Sequence, residues 1–257
     1  MTQSASPTPY LQPSTPIVLA HRGFSPDGWE NTMAAFQAAV DLGCAFVETD
    51  VQATTDGVAV AFHDATLDRV TDATGRIDAL EWARVSSARI GGRHHVPALE
   101  EVLATWPDLR VNIDVKSAGA VEPTAAVVNR LGAHERVCIG SFSDARRRAT
   151  VAAIDGRVAT SAGSAVVRAF VAAVRLGSSR LTARTLRDVD CLQVPERSGR
   201  ITIVTPLAVE LAASVGVPIH VWTVNRRTDM HRLLDMGVAG LVTDRADVAL
   251  QVRGARS

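Results

Sequence analysis

The chain has 257 residues, 27 Lys and Arg against 27 Asp and Glu, and 47% hydrophobic residues. That size suits one α/β barrel, and a net charge of zero supplies no basic excess to neutralise a nucleic-acid backbone. Cys44, Cys138 and Cys191 are odd in number and lack CxxC spacing, so they predict small buried side chains, not a disulfide framework or a zinc site.

Residues 1–16 hold four prolines and several Ser and Thr, with neither a basic start nor an apolar run. They predict a flexible lead-in and no signal peptide. No later run is long and apolar enough to span a bilayer, so a reducing, cytoplasmic setting is expected, without stable membrane insertion.

Apolar strand-like runs then alternate with helix-period stretches. Strands are predicted near 17–21, 45–51, 110–115, 136–141, 157–161, 189–194, 218–224 and 239–243. Asn31 or Thr32 caps the first helix, Gly43 stops it, and Pro97 and Pro107 bracket a helix carrying Leu99, Val102 and Leu103. Ser143-Asp144 and Thr205-Pro206 are further helix starts. Arg146-Arg147-Arg148, following Asp144, predicts a solvated helix face.

Eight such repeats predict a TIM-type (β/α)8 barrel of parallel strands, one domain over residues 17–257, with a short extension after strand two. In that extension, Asp56-Gly57 is a turn signal and 58–62 reads as a further strand leading to His63. The polar stretch from Asp64 to His95 reads as a long loop covering one side of the pocket.

Chemistry gathers at the strand ends. His21 and Arg22 end strand one, Glu48 and Asp50 strand two, and Asp114 and Lys116 strand three, with His63 after the extension. Side chains alternate along a strand, so Glu48 pairs in direction with Asp50, and Asp114 with Lys116. Three carboxylates facing one space require counter-charge, and an all-oxygen ligand set of Glu48, Asp50 and Asp114 suits Mg²⁺ or Ca²⁺ better than zinc. Arg22 and Lys116 are phosphate contacts, Arg22 through its planar fork. Imidazole as a side-chain type suits proton transfer near neutral pH, so His21 and His63 are candidates to remove one proton and deliver another. Taken singly, each element has a structural alternative: a hydrogen-bonded strand-end histidine, a solvated edge, an ion pair. His220, inside an apolar strand, reads as a barrel-interior histidine. Trp222 reads equally as core anchor or as an apolar wall for substrate, and Thr243-Asp244 as a helix cap.

His21-Arg22-Gly23, Glu30-Asn31-Thr32, Glu48-Thr49-Asp50-Val51, His63-Asp64, Pro97-Ala98-Leu99-Glu100, Asn112-Ile113-Asp114-Val115-Lys116, Val221-Trp222-Thr223-Val224-Asn225 and Thr243-Asp244 follow one another in an order that resembles the glycerophosphodiester phosphodiesterase family. The resemblance runs from Ile17 to Asp247. It implies hydrolysis of a small-molecule glycerophosphodiester to glycerol 3-phosphate and an alcohol. Within it, His21 and His63 are the acid/base pair and Glu48, Asp50 and Asp114 hold the divalent metal, while Arg22 and Lys116 contact phosphate. It also implies attack by the glycerol 2-hydroxyl through a cyclic phosphate. Trp29 stands where the family usually has Pro, Asp114 where it usually has Glu, and the region between His63 and Pro97 is short. A lipid phosphodiesterase of the sphingomyelinase D or phosphatidylinositol phospholipase type is the enzyme alternative, disfavoured because the sequence shows no obvious apolar docking helix. A barrel that only binds phosphorylated ligands is the non-catalytic one.

Overall fold

Side-chain parity along eight short strands decides what this molecule presents inside and out. In the computed structural model, which describes residues 8–12 and 16–256, the barrel strands are β1 (Ile17–His21), β2 (Phe46–Ala53), β3 (Arg110–Val115), β4 (Val137–Gly140), β5 (Ala159–Thr160), β6 (Leu192–Pro195), β7 (Ile219–Trp222) and β8 (Gly240–Thr243). All lie within a few residues of the predicted runs. Neighbours pair in parallel in the order β5-β4-β3-β2-β1-β8-β7-β6. The two ends of this sheet meet through a parallel bridge between Ser161 and Cys191. The backbone N–H of Asp190 adds a bond to the Thr160 carbonyl at 2.8 Å. The expected α/β barrel is therefore present.

Alternation sorts the side chains. Val18, Ala20, Val47, Val51, Val111, Ile113 and Val115 pack outward with helix residues such as Phe36, Leu103, Phe170 and Leu233 in the main core. Leu19, Phe46, Cys138, Ala159, Cys191 and Val242 form a separate inner cluster that fills the barrel floor. His220 belongs to this interior at 1% exposure, with no hydrogen-bond partner for Nδ1. All three cysteines are buried free thiols.

The lead-in departs from the flexible reading where it is described. Residues 1–7 and 13–15 lie outside the described residues. Pro9–Leu11 forms a single 3₁₀ turn, and Tyr10 is completely buried, edge-on to Phe46 with ring centroids 5.4 Å apart. An aromatic ring gains more by closing an apolar barrel floor than by staying in water.

The Asp64–His95 stretch is likewise not an open loop. It holds a 3₁₀ turn (Ile77–Ala79), a helix (Trp82–Ser87) and a ribbon pairing Arg89–Ile90 with His94–His95. Leu67, Ile77, Val85 and Ile90 close a hydrophobic cluster of its own with Val60 and Phe62, and Ala59–Ala61 pairs antiparallel with β2. Arg147 also departs from expectation. It is 2% exposed, donating to Thr160 Oγ1 at 3.3 Å and to the Asp188 carbonyl at 3.1 Å, because its helix turns that residue toward β5 and away from solvent. Among the described residues no helix is long and apolar enough to cross a membrane.

Candidate active site

Parallel register places the strand ends side by side: His21 opposite Glu48, and Asp50 opposite Asp114. On β1 to β3 the next inward positions above the apolar floor are thus ionic or polar. His21, Arg22, Glu48, Asp50, His63, Asp114, Lys116 and Trp222 line one cavity of about 940 Å³ at the carboxyl ends of the strands. Every site residue expected from sequence is brought to this cavity.

The turn after β1 has an unusual backbone. Arg22 and Asn31 sit at φ 56° and 55°, in the left-handed region. Gly23, at φ 83°, packs so tightly that an added Cβ would lie 2.7 Å from the Ala35 carbonyl carbon. This conformation turns the Arg22 N–H toward Glu48 Oε2 at 3.2 Å. Thr32, not Asn31, caps the first helix (Met33–Asp41), accepting from the Ala35 N–H. Asn31 is thereby released to serve the site: it donates to Asp50 Oδ2 at 3.2 Å and accepts from Thr49 Oγ1 at 2.8 Å.

Charges interlock across the mouth. Lys116 Nζ lies 2.7 Å from Asp50 Oδ1 and 2.7 Å from Asp114 Oδ2. Arg22 Nε is 2.9 Å from Asp50 Oδ2, and Arg22 Nη1 donates to Glu30 Oε1 at 2.9 Å. Burial works against the charged form of Asp50, but Lys116 and Arg22 outweigh it and hold that carboxyl below the usual range. Burial likewise disfavours the Lys116 ammonium, and the charges of Asp114 and Asp50 overcome it, leaving the amine raised. Glu48 lacks such a partner. Burial, reinforced by the charge of Asp50, pushes it up to about 8.

Each histidine is gripped by a carboxylate. His21 Nδ1 is 2.6 Å from Asp244 Oδ1, and His63 Nδ1 is 2.6 Å from Asp64 Oδ1. Because the hydrogen bond from His21 also draws Asp244 below its ordinary range, that partner is an ionised acceptor and Nδ1 carries the proton. Asp64 is drawn down first by Arg69 and then by His63. In both rings Nε2 is the nitrogen left for a ligand. Burial lowers His21, yet the Asp244 hydrogen bond and the charge of Glu48, whose Oε2 is 3.8 Å from Nε2, leave it raised overall. Asn225 Nδ2 donates to the other oxygen of Asp244 at 2.7 Å. Arg69 binds Asp64 and reaches Glu30 Oε1 at 2.6 Å, so the support of His63 connects through Glu30 to Arg22.

Asp244, Asn225, Asp64 and Glu30 were not in the predicted site. Asp244 reads as a helix cap in sequence, but its side chain turns to His21 instead. None of residues 64–95 lines the cavity, so this segment does not cover the pocket as expected. It acts from behind, holding His63 through Asp64 and Arg69. The facing wall comes from the helix Ser164–Arg175 and the ribbon pairing Arg197–Ser198 with Ile201–Thr202.

The donor set bears on a metal. Among the described residues no three His, Cys, Asp or Glu side chains are grouped as ready metal ligands, since the Lys116 ammonium stands between Asp50 and Asp114. Asp114 Oδ1, however, is buried without a hydrogen-bond partner, and Glu48 is a buried carboxyl short of counter-charge. Hard oxygen donors left in this state fit a divalent cation of the Mg²⁺ or Ca²⁺ type.

Fold and site together define an α/β-barrel hydrolase with its ionic centre at the carboxyl ends of the strands. The model of the glycerophosphoryl diester phosphodiesterase family matches residues 21–248. A Mycobacterium tuberculosis protein named probable glycerophosphodiester phosphodiesterase 2 is 44% identical over 100% of this chain and 98% of its own. A glycerophosphodiester phosphodiesterase from Caldanaerobacter subterraneus is 31% identical over 89% and 93%. In shape, the chain resembles an Oleispira antarctica phosphodiesterase solved in complex with the product sn-glycerol-3-phosphate (TM-score 0.77, 21% identity, 93% of this chain and 96% of that one). The chain belongs to the glycerophosphoryl diester phosphodiesterase family, a family of phosphoric diester hydrolases.

Proposed function

We propose that this protein hydrolyses small glycerophosphodiesters in the cytoplasm to glycerol 3-phosphate and an alcohol. One observation carries the reading: two imidazoles, each with Nδ1 anchored by its own carboxylate, line the same cavity as Glu48, Asp50, Asp114, Arg22 and Lys116. Arg22 and Lys116 grip the phosphate oxygens, and Trp222 walls the substrate. Glu48, Asp50 and Asp114 hold Mg²⁺ or Ca²⁺, the partnerless Asp114 oxygen and the raised Glu48 being the support for it. When bound, the cation supplies positive charge where the phosphate gains negative charge.

Of His21 and His63, one takes the proton from the attacking oxygen through Nε2. The other delivers a proton to the departing alcohol. The glycerol 2-hydroxyl attacks first and water then opens the cyclic phosphate, with the two rings exchanging roles.

The test is a panel of glycerophosphodiesters assayed by coupled detection of glycerol 3-phosphate, with Mg²⁺ or Ca²⁺ and with EDTA. Turnover that EDTA abolishes and cation restores is expected, together with a loss of about two to four orders of magnitude in His21→Ala and His63→Ala. Activity indifferent to the chelator removes the metal from the scheme, and near-normal rates in either variant remove the pair.

A further inference from the structure

A second set of polar atoms lies beside the ionic groups, toward β4, β5 and β6. Parity places it. Cys138, Ala159 and Cys191 point inward as part of the barrel floor, so the residues two positions on, Gly140, Ser161 and Gln193, face the interior one layer higher. Asn112, opposite Glu48 in register, joins them from β3. All four line the cavity, and none has a part in the acid/base or ionic scheme above.

Two of these side chains are left incomplete. Asn112 is 4% exposed, and its Oδ1 accepts no hydrogen bond; Gln193 Nε2 is buried and donates none. Buried amide atoms are rarely left unpaired in a folded protein, and a donor and an acceptor left free on one cavity mark a place for a ligand group. Gly140 keeps that place open. It stands level with Asp114 in register, and a Cβ added there would lie 3.1 Å from Ser161 Oγ and 3.7 Å from Gln193 Oε1. The missing side chain is therefore a recess, closed below by the floor.

The chemistry of the recess is narrow. Two amides and a hydroxyl are all neutral, so they offer no counter-charge to a cationic head group. They match an uncharged group that donates one hydrogen bond and accepts another, and an alcohol hydroxyl does both. Because Gly140 is the register partner of Asp114, the recess opens beside the groups assigned to the phosphate. A closed space there suits the glycerol, which every substrate shares, better than a head group whose size varies.

We propose that Gln193 and Asn112 select substrates through the free terminal hydroxyl of the glycerol, which accepts from Gln193 Nε2 and donates to Asn112 Oδ1. The inference rests on the phosphodiesterase reading and deepens it by assigning specificity to residues outside the ionic centre. The 2-hydroxyl, on the adjacent carbon, stays free for the histidines. A diester whose terminal hydroxyl is missing or blocked leaves both amides unpaired and is a poor substrate.

The experiment compares kcat/KM for glycerophosphocholine and for 2-hydroxypropyl phosphocholine, which keeps the head group and the attacking hydroxyl and lacks only the terminal one. In the wild type the deoxy diester is expected to be poorer by about tenfold to a hundredfold. Gln193→Leu, of similar size, is expected to lose most of that factor on glycerophosphocholine and little on the deoxy diester, so that the two rates converge. Gly140→Ala, whose methyl enters the recess, is expected to raise KM for glycerophosphocholine and to bring the rates together as well. Equal cleavage of both diesters by the wild type overturns the recess as a hydroxyl site, with an ordered water its only occupant, and leaves the phosphodiesterase reading standing. Cleavage of neither overturns that reading instead. Full discrimination retained in the folded variants overturns the role of Gln193. The wild-type comparison needs no variant, so the recess is tested even where a substitution unfolds the barrel.

Discussion

Asp244 and His21 are joined at 2.6 Å although 223 residues separate them in the chain. The contact is made because β1 and β8 are barrel neighbours, with Ala20 opposite Thr243, so the next residue on each strand arrives at the same level of the mouth. Asp244 fixes the ring and its tautomer without itself touching a substrate, which makes it a positioning residue. Asp244→Asn is expected to lower kcat by about two to four orders of magnitude with little change in KM. Steady-state kinetics on a glycerophosphodiester checks this, and circular dichroism confirms the intact barrel.

Lys116 lies between two acids that are themselves largely buried, Asp50 at 2% and Asp114 at 14% side-chain exposure. Removing the ammonium leaves both without their shortest ion-pair partner, the circumstance in which a broken buried pair costs most. In EDTA at pH 8, Lys116→Met is expected to lose about 3 kcal/mol, or roughly 10 °C in Tm. If these carboxylates bind a cation, Mg²⁺ or Ca²⁺ will return more of the loss in the variant than it adds to the wild type. Paired thermal melts with and without the ion give the comparison.

The strands and most of the site were legible because both depend on local rules. Parity alone predicts that Glu48 and Asp50 share a direction, and an apolar run ending in a charge marks a strand tip. What stayed illegible depends on encounters between distant segments. Thr243-Asp244 has the local form of a helix cap, and only the closure of the barrel reveals His21 as its partner. Arg147 belongs to a run of three arginines whose composition signals solvent, while its place on the helix turns it toward Thr160 and the Asp188 carbonyl. The polarity of residues 64–95 masks Leu67, Ile77, Val85 and Ile90, which are spaced irregularly and find each other only in three dimensions. Tyr10 was hidden by its proline-rich neighbours.

The His63–Asp64–Arg69 cluster has a pH signature. Arg69, and after it His63, hold Asp64 below its ordinary value. A carboxylate depressed in the folded state adds stability that is present above its unfolded pKa, and that stability is lost as pH falls through the folded one. Asp64→Asn is therefore expected to melt lower than wild type by a constant amount above about pH 5. The difference should disappear as the medium is taken below about pH 3. Because Arg69 is half exposed, the gap is at most about 1 kcal/mol, or some 3 °C. Melting curves of both proteins across this range decide it, and a gap that widens in acid would contradict the assignment.

Gly23 holds the first loop where the chemistry needs it. Its φ of 83° is one that L side chains rarely adopt, and a Cβ there would come within 2.8 Å of the Ala35 carbonyl oxygen and Cβ as well as 2.7 Å from its carbonyl carbon. These are backbone atoms and a side-chain stub of the first helix, so the obstruction cannot swing aside. The strand-to-helix turn must shift, and with it the Phe24 N–H bond to the Ala35 carbonyl at 2.8 Å. Gly23→Ala is expected to cost about 2 kcal/mol or more, a Tm loss of roughly 5 °C or greater. Since Arg22 and His21 immediately precede the displaced residue, kcat should fall further than the stability loss alone would explain. Turnover measured at a temperature where the variant is still fully folded separates the two effects.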